Sequence, residues 1–81
     1  MHEIEIKPKA LKDLAAVPVS DAKRILGKIE SLRDGIAGDV KRLTNFTPEY
    51  RLRIGDYRVL FELESGKVVV YRVRHRKDAY R

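Results

Sequence analysis

Polar and apolar residues alternate through His2-Glu3-Ile4-Glu5-Ile6, which predicts a short half-buried strand that stops at Lys7-Pro8. Pro8 suits the first turn of a helix, where its missing N–H would have had no partner. From Pro8 to about Ala16, Leu11, Leu14 and Ala15 share one helical face, and Pro18 closes the segment. Ser20 or Asp21 is placed to cap a second helix, in which Ala22, Ile25, Leu26, Ile29 and Leu32 recur at helical spacing until a stop near Gly35. Two antiparallel helices joined by a tight turn are expected.

The stretch from Gly35 to Pro48 carries Gly35, Gly38, Asn45 and Pro48 among scattered apolar residues, and reads as a connecting loop anchored by Leu43 and Phe46. Strict alternation resumes in Tyr50-Arg51-Leu52-Arg53-Ile54, Gly55-Asp56 supplies a two-residue turn, and Tyr57 to Leu63 forms the return strand. After Glu64-Ser65-Gly66 a last strand runs from Lys67 to Arg74, followed by a short tail to Arg81. The predicted class is α+β: an N-terminal strand, a two-helix hairpin, then a three-stranded antiparallel sheet packed on the helices, in one domain spanning residues 1–81.

The first hairpin fixes a register. With Gly55-Asp56 as the turn, Ile54 faces Tyr57, Arg53 faces Arg58 and Arg51 faces Leu60, while Leu52, Ile54, Tyr57 and Val59 take the opposite face. The second hairpin allows a two-residue Ser65-Gly66 turn or a three-residue Glu64-Ser65-Gly66 loop with Gly66 left-handed. The three-residue loop is favoured, because it aligns Val69, Tyr71 and Val73 with Val59, Phe61 and Leu63 as a continuous apolar face. It also places Arg72, Arg74 and Arg76 on the side of Arg51, Arg53 and Arg58.

Charge changes what this face means. Lys and Arg outnumber Asp and Glu by 18 to 12, and seven of the ten arginines lie between Arg51 and Arg81. Arginine's planar fork matches phosphate oxygens two at a time, whereas lysine is a solvated point charge. Arginines alternating with apolar residues also describe an ordinary solvated sheet face, with Glu62 and Asp78 at hand to neutralise it. The cross-strand pair Arg53 and Arg58 argues for more: like charges directly opposite destabilise a sheet, and an anionic ligand supplies a reason to collect them. A small core with 7% aromatic residues further suggests that stability draws on a partner.

Other chemistries find little support. There is no cysteine, hence no disulfide or thiolate site, and the cytoplasm is the expected compartment. The first ten residues carry Glu3, Glu5, Lys7 and Lys9, and no apolar run reaches the length of a signal peptide or membrane span, so no membrane association is expected. No paired carboxylates, metal-ligand spacing or phosphate-cradling glycine loop is found. His2 follows the initiator methionine and is read as inert, and Tyr50 and Tyr57 as core or core-edge residues.

The run Tyr50-Arg51-Leu52-Arg53-Ile54-Gly55-Asp56-Tyr57-Arg58-Val59-Leu60-Phe61, then Val68-Val69-Val70-Tyr71, then His75-Arg76-Lys77-Asp78-Ala79-Tyr80, resembles the RelE branch of the RelE/ParE toxin superfamily. Essentially the whole chain fits, in the same order of elements. The resemblance implies the toxin of a type II toxin–antitoxin system, held silent by a cognate antitoxin, that enters the ribosomal A site and cleaves the exposed mRNA without metal or other cofactor. Operator DNA would be a partner only indirectly, through the antitoxin, and contacts to ribosomal RNA are implied as well. Cleavage of this kind uses the ribose 2′-hydroxyl as nucleophile on its own phosphate, so the enzyme must align that oxygen, neutralise the phosphorane and protonate the leaving 5′-oxygen.

By position, Arg51 and Arg53 stand where some relatives carry two lysines, Arg58 matches the strand arginine, and Arg76 and Tyr80 match the C-terminal pair. The resemblance thus implies Arg51, Arg53, Arg58, Arg76 and Tyr80 as catalytic residues, with Arg72, Arg74, His75 and Lys77 as RNA contacts. Arg58 and Arg76 are expected to clamp the scissile phosphate, and Tyr80 to stack on a base or move a proton. Arginine stays protonated at any ordinary pH, so Arg51 and Arg53 are poor general bases. Catalysis is then electrostatic and orientational, or the proton moves through His75 or Tyr80. Two rivals remain: a ParE-like gyrase inhibitor of the same fold, and an inactive, antitoxin-bound repressor component.

Overall fold

A computed structural model of the chain describes residues 2–36, 38–43 and 47–77. Strand β1 (Glu3–Ile6) leads into helix α1 (Pro8–Ala16) and helix α2 (Val19–Ser31), followed by β2 (Val40–Arg42), β3 (Tyr50–Ile54), β4 (Tyr57–Glu64) and β5 (Lys67–His75). The five strands form one mixed sheet in the order β1-β5-β4-β3-β2, with β1 parallel to β5 and the other pairs antiparallel.

Pro8 begins α1 as expected, and Lys7 continues the β1 ladder by donating its N–H to the Val70 carbonyl at 2.9 Å. Helix α2 starts earlier than its polar residues suggest: Pro18 is the N-cap, no side chain caps the helix, and Asp21 lies inside its first turn, where it favours the helix dipole. The buried row of α2 is Ile25 and Ile29, continued by Leu32 at the C-cap, with Leu26 39% exposed. In α1 the buried residues are Ala10 and Leu14, whereas Leu11 is 53% exposed and Ala15 points outward. The expected Leu11–Leu14–Ala15 face is rotated because Asp13 is anchored to the edge of β5. Its Oδ2 accepts the Val73 N–H at 2.9 Å, beyond the point where β1 stops pairing.

The segment read as a loop contains β2, which pairs Val40 with Leu52, Lys41 with Arg51 and Arg42 with Tyr50. Three residues with only Val40 part-buried carry too little alternation to announce a strand. Leu43 is part-buried; Phe46, the other expected anchor, lies outside the described residues.

The β3–β4 register is the expected one, and Gly55 takes the left-handed φ of +56° that its turn requires. The second hairpin differs. Glu64 pairs with Lys67 across a two-residue turn in which Ser65 and Gly66 both have positive φ, +50° and +75°. The apolar pattern is reconciled by a β-bulge: Phe61 faces Val70 and Leu60 faces Arg72, so Tyr71 is the extra residue and inverts the parity of β5. Val68 and Val70 before the bulge therefore reach the core in place of Val69 and Tyr71, while Val73 after it, opposite Val59, reaches the core as expected.

The core lies between this face and the two helices. Phe61 is fully buried at its centre, among Ile25, Ile29, Leu32, Val59, Val68 and Val70, and its cross-strand neighbour Tyr50 stacks on it at 5.4 Å between ring centroids. Tyr57 packs at the core edge and donates to Asp21 Oδ2 at 3.4 Å.

Candidate functional site

The bulge leaves Arg72 and Arg74 on the outer face of the sheet, with the arginines of β3 and β4. Two rows cross the three strands there: Arg53, Arg58 and Arg74 stand in direct register, and beside them Arg51, Leu60 and Arg72. Leu60 is only 4% exposed although it faces away from the core. Its neighbours on either side are arginines, whose aliphatic stems can cover it while the charged heads reach outward.

Carboxylates brought in from other elements sort these cations. Asp13 of α1 takes Arg72 in a two-pronged pair, accepting from Nε at 2.8 Å and from the second terminal nitrogen at 3.0 Å. Burial pushes the Asp13 carboxyl upward, but the hydrogen bonds from Arg72 and Val73 and the charges of Arg72 and Arg74 outweigh it and hold the group below its ordinary value. The same bond, donated to Asp13, raises Arg72. Asp39, just before β2, accepts from a terminal nitrogen of Arg51 at 3.0 Å, and its other oxygen lies 3.8 Å from Arg53 Nε. The Arg51 side chain is 12% exposed, and its Nε is buried with no acceptor among the described residues.

Arg58 donates to two backbone carbonyls, those of Gly55 at 3.1 Å and Tyr57 at 3.0 Å, which fold its head toward the β3–β4 turn. At the same turn the Arg76 N–H donates to the Asp56 carbonyl at 2.7 Å, and Arg76 Nε lies 3.9 Å from the Asp56 carboxylate. Among the described residues neither Arg58 nor Arg74 has a carboxylate partner. The centre of positive charge is thus the adjacent pair Arg58 and Arg74, flanked by Arg53 and Arg76. Glu62, a candidate for neutralising this face, instead accepts the Glu49 N–H at 3.0 Å.

His75 is not with the arginines. It pairs across the strands with Tyr57, their rings meeting edge to face at 5.6 Å, and its Nδ1 accepts the Lys77 N–H at 3.3 Å. The Lys77 side chain is exposed beyond the end of β5, and Tyr80 and Asp78 lie outside the described residues. Among the described residues no three His, Cys, Asp or Glu side chains are grouped to hold a metal ion. The arrangement suits a polyanion: several fixed cations on a shallow face, and no described proton acceptor among them except carboxylates already paired with arginine.

Asp13, Asp39 and Asp56, which decide which arginines are free, were not expected from the sequence. Asp13 and Arg72 are 59 positions apart, and no local pattern ties them.

Residues 4–80 match the family model described as ParE toxin of type II toxin–antitoxin system, parDE. Toxin RelE3 of Methanocaldococcus jannaschii is 37% identical over 76 residues, which covers 86% of this chain and 85% of that protein. Among solved structures, the RelB–RelE antitoxin–toxin complex from Methanococcus jannaschii superposes with a TM-score of 0.78 at 30% identity, covering 94% of both chains. The toxin–antitoxin complex RelBE2 from Mycobacterium tuberculosis has the same fold, with a TM-score of 0.77 at 21% identity over 91% of this chain and 96% of that one.

Proposed function

The chain belongs to the RelE/ParE family of type II toxin–antitoxin toxins, and within that family we propose that it is a metal-independent endoribonuclease that cuts mRNA in the ribosomal A site. One observation carries this reading: Arg53, Arg58 and Arg74 stand side by side across three strands, at a cost to the sheet that a phosphate strand would offset. In the proposed reaction the 2′-hydroxyl attacks the adjacent phosphorus, the P–O5′ bond breaks, and a 2′,3′-cyclic phosphate and a 5′-hydroxyl result. Arg58 and Arg74, with Arg76 beside them, hold the non-bridging oxygens and stabilise the extra negative charge of the phosphorane. Arg51 and Arg72, tied to Asp39 and Asp13, shape the floor of the site and contact the strand through their remaining donors. Tyr80 or water carries the proton, taking it from the 2′-hydroxyl as O2′ bonds to phosphorus and supplying one to the departing O5′, since an arginine does not give up its proton and His75 faces Tyr57.

The cognate antitoxin is the second proposed partner. The solved relatives cited above are complexes with antitoxins, and this chain exposes Leu11, Val19 and Leu26 on its helices while carrying a net charge of +6, features that suit an acidic, amphipathic segment. The protein would act in the cytoplasm, where its ribosomal target lies.

The test is primer extension on an mRNA under translation, with the purified protein and with or without ribosomes. Cuts that need ribosomes and fall at least about 100-fold with Arg58→Ala support the reading, that being the usual effect of removing one charge-stabilising donor. Absence of cuts, or cuts indifferent to Arg58→Ala, defeats it. The match to a ParE-described model favours one alternative, inhibition of DNA gyrase, which a supercoiling assay on the same preparation would reveal.

A further inference from the structure

The arginine face continues around one edge of the sheet. Arg53 belongs to it and also lines a cleft of about 390 Å³ whose other walls are Lys28 and Ser31 of α2, Gly38 and Asp39 before β2, and Leu52. We propose that this cleft is a backbone-phosphate subsite for the RNA strand, with Lys28 and Arg53 as its cations and Asp39 as an internal anion that the phosphate displaces. The proposal rests on the reading of the arginine face as an RNA site, and adds where the strand goes when it leaves that face.

Three observations support it. Asp39 stands between two guanidiniums, 3.0 Å from Arg51 and 3.8 Å from Arg53, in the position a phosphate would take, with one oxygen toward each. Its carboxylate is 55% exposed and its contact with Arg53 is long, so its hold on Arg53, unlike that on Arg51, is loose and open to competition. Lys28 forms no ion pair among the described residues, although its helix brings it to the cleft wall. The cleft is therefore a cationic space with an internal counter-ion and an apolar wall at Leu52, and Arg53 joins it to the arginine rows.

The consequence is a sign. A carboxylate that neutralises Arg53 beforehand suppresses the counter-ion release that makes RNA binding salt-dependent, so removing its charge should tighten binding and steepen the dependence. A merely structural Asp39 predicts looser binding instead. Affinity for a 2′-O-methyl RNA decamer, which binds but cannot be cut, is measured by fluorescence anisotropy across a series of salt concentrations, with the full chain and two variants. Each phosphate contact on a single strand contributes a slope of about 0.7 in log K against log salt. Asp39→Asn, which keeps the acceptor for Arg51, should steepen the slope by about 0.7 and tighten binding several-fold at low salt; Lys28→Ala should flatten it by about 0.7. A dinucleotide with a single phosphate occupies only the central arginines, and its binding should respond to neither change.

Unchanged slopes in both variants overturn the proposal. So does weaker binding by Asp39→Asn in a protein that melts like the parent, or an effect of Lys28→Ala on ribosome association with none on the free strand, which would assign the cleft to a different RNA. The slopes do not depend on cleavage: the expected shifts without ribosome-dependent cuts would leave the subsite standing and remove the nuclease, and cuts without the shifts would do the reverse.

Discussion

Replacing Asp13 by Ala removes the one side chain that ties α1 both to the edge of β5 and to the arginine face. Three bonds go: two from Arg72 at 2.8 and 3.0 Å and one from the Val73 N–H at 2.9 Å. The Asp13 and Arg72 side chains are 17% and 33% exposed, so the ion pair is partly screened and is assigned about 1 kcal/mol. The Val73 N–H, left without an acceptor at a covered strand edge, adds roughly 1–2 kcal/mol. The sum of about 2–3 kcal/mol corresponds, for a domain of this size, to a fall of roughly 10–20 °C in melting temperature. Asp13→Asn keeps one acceptor for Val73 and should lose about half as much.

The pH dependence gives a second check on the same variant. The Asp13 carboxyl is held below its ordinary value in the folded chain, so the unfolded chain binds its proton more readily. The stabilisation is then fully present above the unfolded value, near pH 4, and is lost as pH falls through the folded value. Thermal melts followed by circular dichroism should show a gap between parent and Asp13→Asn that is constant near neutrality and closes at lower pH. A gap below about 0.5 kcal/mol at pH 7, the range of an ordinary surface change, would refute the anchoring role.

Two further outcomes follow from the placement of single residues. Arg74→Gln removes a cation from the Arg53–Arg58–Arg74 row, and should flatten the salt dependence of RNA binding by about 0.7 while leaving the stability to thermal unfolding unchanged or raising it by roughly the few tenths of a kcal/mol that like-charge relief provides. A clear loss of stability in that variant would mean that Arg74 is a structural residue. His75→Ala should leave cleavage within a few-fold of the parent, because the ring packs on Tyr57, and a pH–rate profile that lost a limb with this substitution would instead make His75 the proton carrier.

What could be read from the sequence was whatever depends on near neighbours. Pro8 starts α1, Gly55 sets the first hairpin, and the pairing of Arg53 with Arg58 follows from that turn alone. The second hairpin shows where local reasoning stops. Tyr71 is a residue that any strand accepts, and nothing in its neighbourhood marks it as the extra one. A longer loop and a shorter turn with a bulge both bring valines to the core, and the choice between them depends on how β1, β4 and the helices close over β5 together. Both solutions give β5 the same parity beyond the bulge and deliver Arg72 and Arg74 to the arginine face, so the basic site was legible although the register next to the turn was not.

The acidic residues mark the deeper limit. An arginine in a strand declares its face by parity, but whether its charge is available depends on which carboxylate a helix or loop brings near it. Asp13 reaches Arg72 from α1, and Asp39 reaches Arg51 and Arg53 from the approach to an edge strand too short to recognise. The same contacts make the cluster tolerable to the fold: with Arg72 and Arg51 paired, the unrelieved repulsion is concentrated on Arg58 and Arg74. Coulomb repulsion between charges on neighbouring strands is modest in water and grows as water is excluded. Excluding water is what a bound strand does, and the phosphate it brings supplies the opposite charge at the same moment. The row is therefore least costly in the state it is proposed to serve, and Arg74→Gln, which relieves the free protein and weakens the complex, separates the two states in one pair of measurements.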